Sequence, residues 1–186
     1  DYVLGKLGGG NTVSNLSSSR ALRDVTQKHG GTYTASAVGE VNVVIKMKET
    51  NTVIGGEGNG GIIYPASHYG RDSLVGVALF LSHMAHEKIS CKTLRDSYPS
   101  YFMSKNKIQL TPQINVDLIL EMMANKYSSE DVNTIDGVKI DFEQQWVHLR
   151  KSNTEPIIRI YTESDSQKSA DELAERFITE ITEIIS

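Results

Sequence analysis

Between residues 88 and 99 the chain changes rhythm, and that change constrains its fold more than any other feature. Before it, short apolar runs alternate with helical stripes. Val13 to Leu16 reads as a strand leading into a helix over Arg20 to Lys28, with Ser17, Ser18 and Ser19 as capping candidates. Val41, Val44, Ile45 and Met47 give a second helical stripe. Val53 to Gly55 and Ile62 to Tyr64 read as strands on either side of a glycine cluster. Leu74 to Ala85 is apolar on nearly every face, which predicts a buried helix capped by Asp72 or Ser73. Strands and helices in alternation predict an α/β domain in layers.

Beyond Pro99 strands dominate. They are predicted over 101–109, 138–142, 146–149 and 157–163, with helices over 114–126 and 169–185. The last helix carries Leu173, Phe177, Ile178, Ile181 and Ile185 on one stripe, and Ser169 and Glu172 have capping-box spacing. Antiparallel strands with two flanking helices predict an α+β domain. The polar stretch Lys88 to Pro99 reads as the linker. The expected organisation is therefore α/β followed by α+β, with domains at 1–93 and 94–186, and 186 residues suffice for two such units.

Composition narrows the function classes. A hydrophobic share of 39% and a charged share of 23% fit globular units with real cores. The net charge of −4 argues against a nucleic-acid partner, which normally needs a basic surface. The longest apolar run, Leu74 to Leu81, is too short to span a bilayer, and the start does not resemble a signal peptide. A single cysteine, Cys91, cannot form an internal disulfide, which points to a reducing compartment, the cytoplasm. The first residue is Asp1 rather than Met, a hint of truncation.

Two loops carry candidate chemistry. Gly55-Gly56-Glu57-Gly58-Asn59-Gly60-Gly61 sets one carboxylate and one amide among five glycines. Glycine lets a ligand approach the main chain closely, and Glu57 can accept hydrogen bonds from neighbouring hydroxyls, as a sugar requires. Taken alone, the loop reads equally well as a flexible hairpin with a solvated Glu57. It lacks the G-x-G-x-x-G order of a nucleotide fingerprint. The second loop, Arg150-Lys151-Ser152-Asn153-Thr154-Glu155-Pro156, joins two predicted strands. Successive backbone N–H groups in a turn form an anion-binding hollow. Ser152, Asn153 and Thr154 add polar donors, and Arg150 adds a planar bidentate one. Arg159 follows on the next strand, and whether it joins the cluster stays open. The bland alternative is a polar turn beside a surface arginine.

Taken in order, the two loops resemble the α-D-phosphohexomutase superfamily of phosphoglucomutases, phosphomannomutases and phosphoglucosamine mutases. The resemblance spans essentially the whole chain as the third and fourth domains. Ser36 to Met47 resembles the Val-Gly stretch of the third domain, and Arg71-Asp72-Ser73 the start of the helix after the sugar loop. Asp136-Gly137 and Glu163 fit the fourth domain. Asn59, Gly61 and Ser152-Asn153-Thr154 are most similar to the archaeal-type phosphoglucosamine and phosphomannomutase branch. The resemblance implies a fourth domain with a TATA-box-binding-protein-like sheet. It implies that Glu57 and Asn59 contact sugar hydroxyls. It also implies that Arg150, Ser152, Asn153 and Thr154, helped by Arg159, hold the substrate's non-reacting phosphate. The expected reaction of the parent enzyme interconverts hexose 1-phosphate and hexose 6-phosphate through a bisphosphate, with a phosphoserine and Mg²⁺.

The chain lacks the family's serine loop and any Asp-x-Asp, so no catalytic residue and no metal ligand is expected in it. The expectation is a hexose-phosphate-binding part, inactive alone, whose other partner is the missing N-terminal domains of the same polypeptide. The alternatives are a stand-alone sugar-phosphate-binding module and a polyanion binder. Ser67 in Pro65-Ala66-Ser67-His68-Tyr69-Gly70 echoes the serine loop but lacks its Asn-Pro, and reads as an ordinary loop between strand and helix. His83 and His86 read as helix-edge side chains rather than a metal pair, and Trp146 as core.

Overall fold

A computed structural model describes residues 1–111, 114–152 and 155–185. The chain forms two compact units, Asp1–Pro99 and Ser100–Ser186. The first contains α1 (Tyr2–Leu7), β1 (Asn11–Asn15), α2 (Ala21–Lys28), β2 (Tyr33–Ser36), α3 (Glu40–Glu49) and β3 (Thr52–Glu57). Then come β4 (Gly61–Tyr64), β5 (His68–Arg71), α4 (Ser73–Glu87) and α5 (Cys91–Asp96).

The strands form a mixed sheet in the order β2-β1-β3-β4-β5. β1 runs parallel to β2 and β3, while β4 and β5 return antiparallel. Helix α3 buries Val43 and Met47 against Val13 and Ile63 of the sheet. Gly55 is required under that helix, because a Cβ there would lie 2.6 Å from the Val13 carbonyl oxygen and 2.9 Å from Met47 Sδ.

Several features depart from the sequence-based expectation. α1 and β2 were not anticipated, and β5 replaces part of the expected loop. The stretch expected to be a linker holds α5, capped by Ser90 and anchored by the buried Leu94, so it stays with the first unit. The division therefore falls after Pro99 rather than after residue 93. Finally, α4 is capped by Asp72 as expected, but it is not buried: Leu74 is 80% exposed and Leu81 56%. The sheet covers one face of α4, where Gly76 lies against Ile62, and its outer face stays open among the described residues.

The second unit contains β6 (Phe102–Gln109), α6 (Val116–Lys126), β7 (Asp131–Asn133), β8 (Val138–Asp141), β9 (Trp146–Lys151), β10 (Ile157–Ser164) and α7 (Gln167–Ile185). Its antiparallel sheet has the order β6-β10-β9-β8-β7. Met123 of α6 and Phe177 and Ile181 of α7 pack with Ile140, Val147, Leu149, Ile158 and Ile160 of the sheet. Helix α7 starts two residues before the expected capping box, and Ser166 Oγ accepts the Ser169 N–H at 3.1 Å. Trp146 is fully buried, and its Nε1–H donates to Glu163 Oε1 at 2.8 Å.

Candidate functional site

In an open sheet with parallel strands, ligands bind beyond the carboxyl ends of those strands. Three neighbouring parallel strands end at one point in the first unit. β1 ends at Asn15, β3 ends at Glu57, and β2 ends at Ser36, shortly before Gly39. Asn15 Nδ2 donates to Glu57 Oε1 at 2.8 Å and the Gly39 N–H donates to the same oxygen at 3.2 Å. Ser18 Oγ donates to Asn15 Oδ1 and accepts the Gly58 N–H, each at 2.8 Å. One oxygen of Glu57 is thus held by the protein, while Oε2 faces Arg71 Nη1 at the longer distance of 3.7 Å. The Glu57 side chain is only 6% exposed. It lines a hollow of about 330 Å³ together with Ser14, Ser18, Ile54, Gly56 and Ile62.

The loop itself is a hairpin, with Gly56 opposite Ile62 and Glu57 opposite Gly61. A Cβ on Gly56 would lie 2.2 Å from the Gly61 carbonyl oxygen, so only glycine lets these strands close here. Asn59 sits outside, where its Oδ1 accepts the Gly61 N–H at 3.1 Å. It borders a separate depression with Gly60, Gly61, Arg71 and Ser73. Arg71 lines this depression and lies 3.7 Å from Glu57 of the first hollow. Its backbone N–H and Nε donate to Glu40 at 3.0 and 2.9 Å, and these bonds hold the Glu40 carboxyl below the usual range. Asn15, Ser18, Glu40 and Arg71 were not singled out from sequence as part of this site. The signal that could have found them is their position, at strand ends or beside the loop.

In the second unit, Arg150 and Arg159 are direct cross-strand partners, and Lys107 of β6 faces Arg159 from the other side. Like charges directly opposite one another are unfavourable unless acids or an anion offset them. Asp136 lies 3.0 Å from Arg150 Nε, and Glu155 lies 3.8 Å from Arg159 Nη2. Ser152 is nearly buried at the start of the turn, and its N–H donates to the Ile157 carbonyl at 3.1 Å. Asn153 and Thr154 lie outside the described residues. Beside the row, His148 is 1% exposed and donates from Nε2 to the Asp136 carbonyl at 2.7 Å. Burial lowers its pKa to about 4.

Ser67 is an exposed turn residue between β4 and β5. Among the described residues no group of three or more His, Cys, Asp or Glu side chains could hold a metal ion. His83 and His86 instead lie against the Tyr2 ring. No helix among the described residues is long and apolar enough to cross a membrane.

Residues 1–101 match the domain family described as phosphoglucomutase/phosphomannomutase, alpha/beta/alpha domain III. Residues 106–180 match the phosphoglucomutase/phosphomannomutase C-terminal domain. A phosphoglucosamine/phosphogalactosamine mutase of Sulfurisphaera tokodaii is 37% identical over 87% of this chain and 36% of its own length. A phosphoglucomutase/phosphomannomutase of Thermococcus kodakarensis is 34% identical over 94% of this chain and 38% of its own. The chain thus spans well under half the length of these curated relatives. In fold it is similar to a phosphoglucomutase/phosphomannomutase family protein of Burkholderia thailandensis, with a TM-score of 0.77 over 95% of this chain and 38% of that one, at 23% identity. Two domain matches in sequence order, over most of the chain, show that it belongs to the phosphoglucomutase/phosphomannomutase family, of which it comprises domain III and the C-terminal domain.

Proposed function

We propose that this chain is the substrate-reading part of a phosphohexomutase that interconverts hexose 1-phosphate and hexose 6-phosphate by phosphoryl transfer through a bisphosphate. The observation that carries the reading is the convergence of three strand ends on Glu57. Two donors hold its Oε1 in a small hollow and leave Oε2 as the edge for a sugar hydroxyl or ammonium group. Asn59 reads a second hydroxyl. Arg150, Ser152, Asn153, Thr154 and Arg159 hold the phosphate that is not being transferred, and the cross-strand pairing of Arg150 with Arg159 supports this role. Holding either end of the substrate in place supplies much of the catalysis of phosphoryl transfer.

The relatives named as phosphoglucosamine mutases support an amino sugar among the substrates. This reading places the Mg²⁺ ligands of the parent enzyme, like the reacting serine, in N-terminal domains outside this sequence, since no group of three or more His, Cys, Asp or Glu side chains stands together among the described residues. The proposed setting is the cytoplasm, and the exposed thiol of Cys91 is compatible with it. The chain alone should bind hexose phosphates weakly and turn nothing over with Mg²⁺ and a hexose bisphosphate; detectable mutase activity would refute the division of labour. Glu57→Gln should change the discrimination among glucose, mannose and glucosamine phosphates in a binding titration. An equal loss for all three would remove Glu57 from sugar reading.

A further inference from the structure

The turn between β7 and β8 contacts the strand that carries Arg150 in three ways. The Asp136 carbonyl accepts from buried His148 at 2.7 Å. Gly137 has φ +72°, and a Cβ there would lie 2.2 Å from the Leu149 carbonyl oxygen and 3.1 Å from Arg150 Cα. The Asp136 carboxylate, finally, straddles Arg150 Nε, with Oδ1 at 3.1 Å and Oδ2 at 3.0 Å. The first two contacts fix where the turn sits, and the third uses that placement to hold one edge of the guanidinium.

A guanidinium offers five N–H donors in a rigid plane. With Nε taken by Asp136, one N–H from each of Nη1 and Nη2 converges on the opposite edge, which is suited to a bidentate phosphate contact. We propose that Asp136 is a positioning residue for anion recognition, holding Arg150 through Nε so that its Nη edge is presented to the substrate's phosphate. This rests on the reading of Arg150 as a phosphate ligand. Asp136 also cancels part of the Arg150 charge. The balance of anion attraction then falls to Arg159 and Lys107 in the same cross-strand row.

Two substitutions separate positioning from charge. Asp136→Asn and Asp136→Ala both remove the negative charge, but only Asn keeps an oxygen for Nε. Neither touches the backbone carbonyl that His148 uses, and Trp146 fluorescence checks that the second unit still folds. Titrations of the 186-residue chain with glucosamine 6-phosphate and with inorganic phosphate should show Asp136→Ala weakened about fivefold or more, and Asp136→Asn within about twofold of the unmodified chain. In the Arg150→Ala background, Asp136→Ala should add no further loss, because its effect passes through Arg150. Without ligand, the ¹⁵Nε–H resonance of Arg150 should resist solvent exchange in the unmodified chain and in Asp136→Asn, and lose that protection in Asp136→Ala.

Unchanged or tighter binding by Asp136→Ala, with Arg150→Ala weakened, would make Asp136 a competitor of the anion and overturn the proposal. Equal loss from Asp136→Ala in both backgrounds would reduce it to a structural role, and unaltered Nε–H protection would do the same. If Arg150→Ala itself left affinity unchanged, the phosphate assignment of the whole hairpin would fall, and the role of Asp136 with it.

Discussion

Acidification should destabilise the second unit through His148. Its imidazole is 1% exposed, and burial is the largest cause that lowers its pKa from 6.5 to about 4, with Lys139 and Arg150 nearby acting in the same direction. Asp136 opposes the shift through its carbonyl and its charge. A group with a depressed folded pKa contributes stability that is complete above its unfolded value and is lost as pH falls toward its folded value. As the pH drops through 6.5, unfolded chains take up a proton that the folded unit refuses, so unfolding gains. Each unit of difference is worth about 1.4 kcal/mol, so between about pH 7 and about pH 4.5 the loss should be roughly 2 kcal/mol. His148→Gln is the control, since an amide can still donate to the Asp136 carbonyl but does not titrate. Trp146 is the chain's sole tryptophan and is buried in this unit, so its fluorescence reports urea unfolding there. At about 1–3 kcal/mol per molar urea, the excess loss is a midpoint shift of about 1–2 M relative to the control. If both proteins lose stability in parallel over this range, His148 does not enter the fold as a neutral side chain and the reasoning fails.

Gly137→Ala puts a Cβ 2.2 Å from a backbone oxygen at φ +72°, and should cost on the order of 1–3 kcal/mol or prevent folding of the second unit, read by thermal melting. Tyr127→Phe removes a hydroxyl that donates to Glu180 at 2.8 Å and accepts from Arg176 Nη2 at 2.6 Å; the expected loss is about 1–2 kcal/mol, and a melting temperature equal to the unmodified chain's would contradict it. Leu74→Gln, on the open face of α4, should change the stability of the 186-residue chain by no more than about 0.5 kcal/mol in urea, whereas a larger loss would mean that this face is covered in solution.

What the sequence disclosed depended on whether a residue's role is set locally or by pairing with distant strands. The stripe Leu173, Phe177, Ile181 was legible because one face of α7 is apolar and the other is not, so periodicity alone says which side is buried. α4 defeated the same logic, since a helix apolar all round does not reveal which face its own unit will cover. The hairpin around Glu57 was legible because its glycines answer a local demand, which Gly56 shows by its close approach to Gly61. Asn15, Gly39 and Arg71 were not, because their meeting at Glu57 requires the order β2-β1-β3-β4-β5, which no local pattern encodes. Arg159 shows the limit most sharply. Its place beside Arg150 exists only in the register that pairs the two Cα atoms across β9 and β10. A slip of one residue would send Arg159 to the helix-covered face and bring a core isoleucine, Ile158 or Ile160, into its place. The same core residues, packed under α6 and α7, oppose that slip. The apolar face therefore sets the register, and the register in turn sets which cations stand together on the other side.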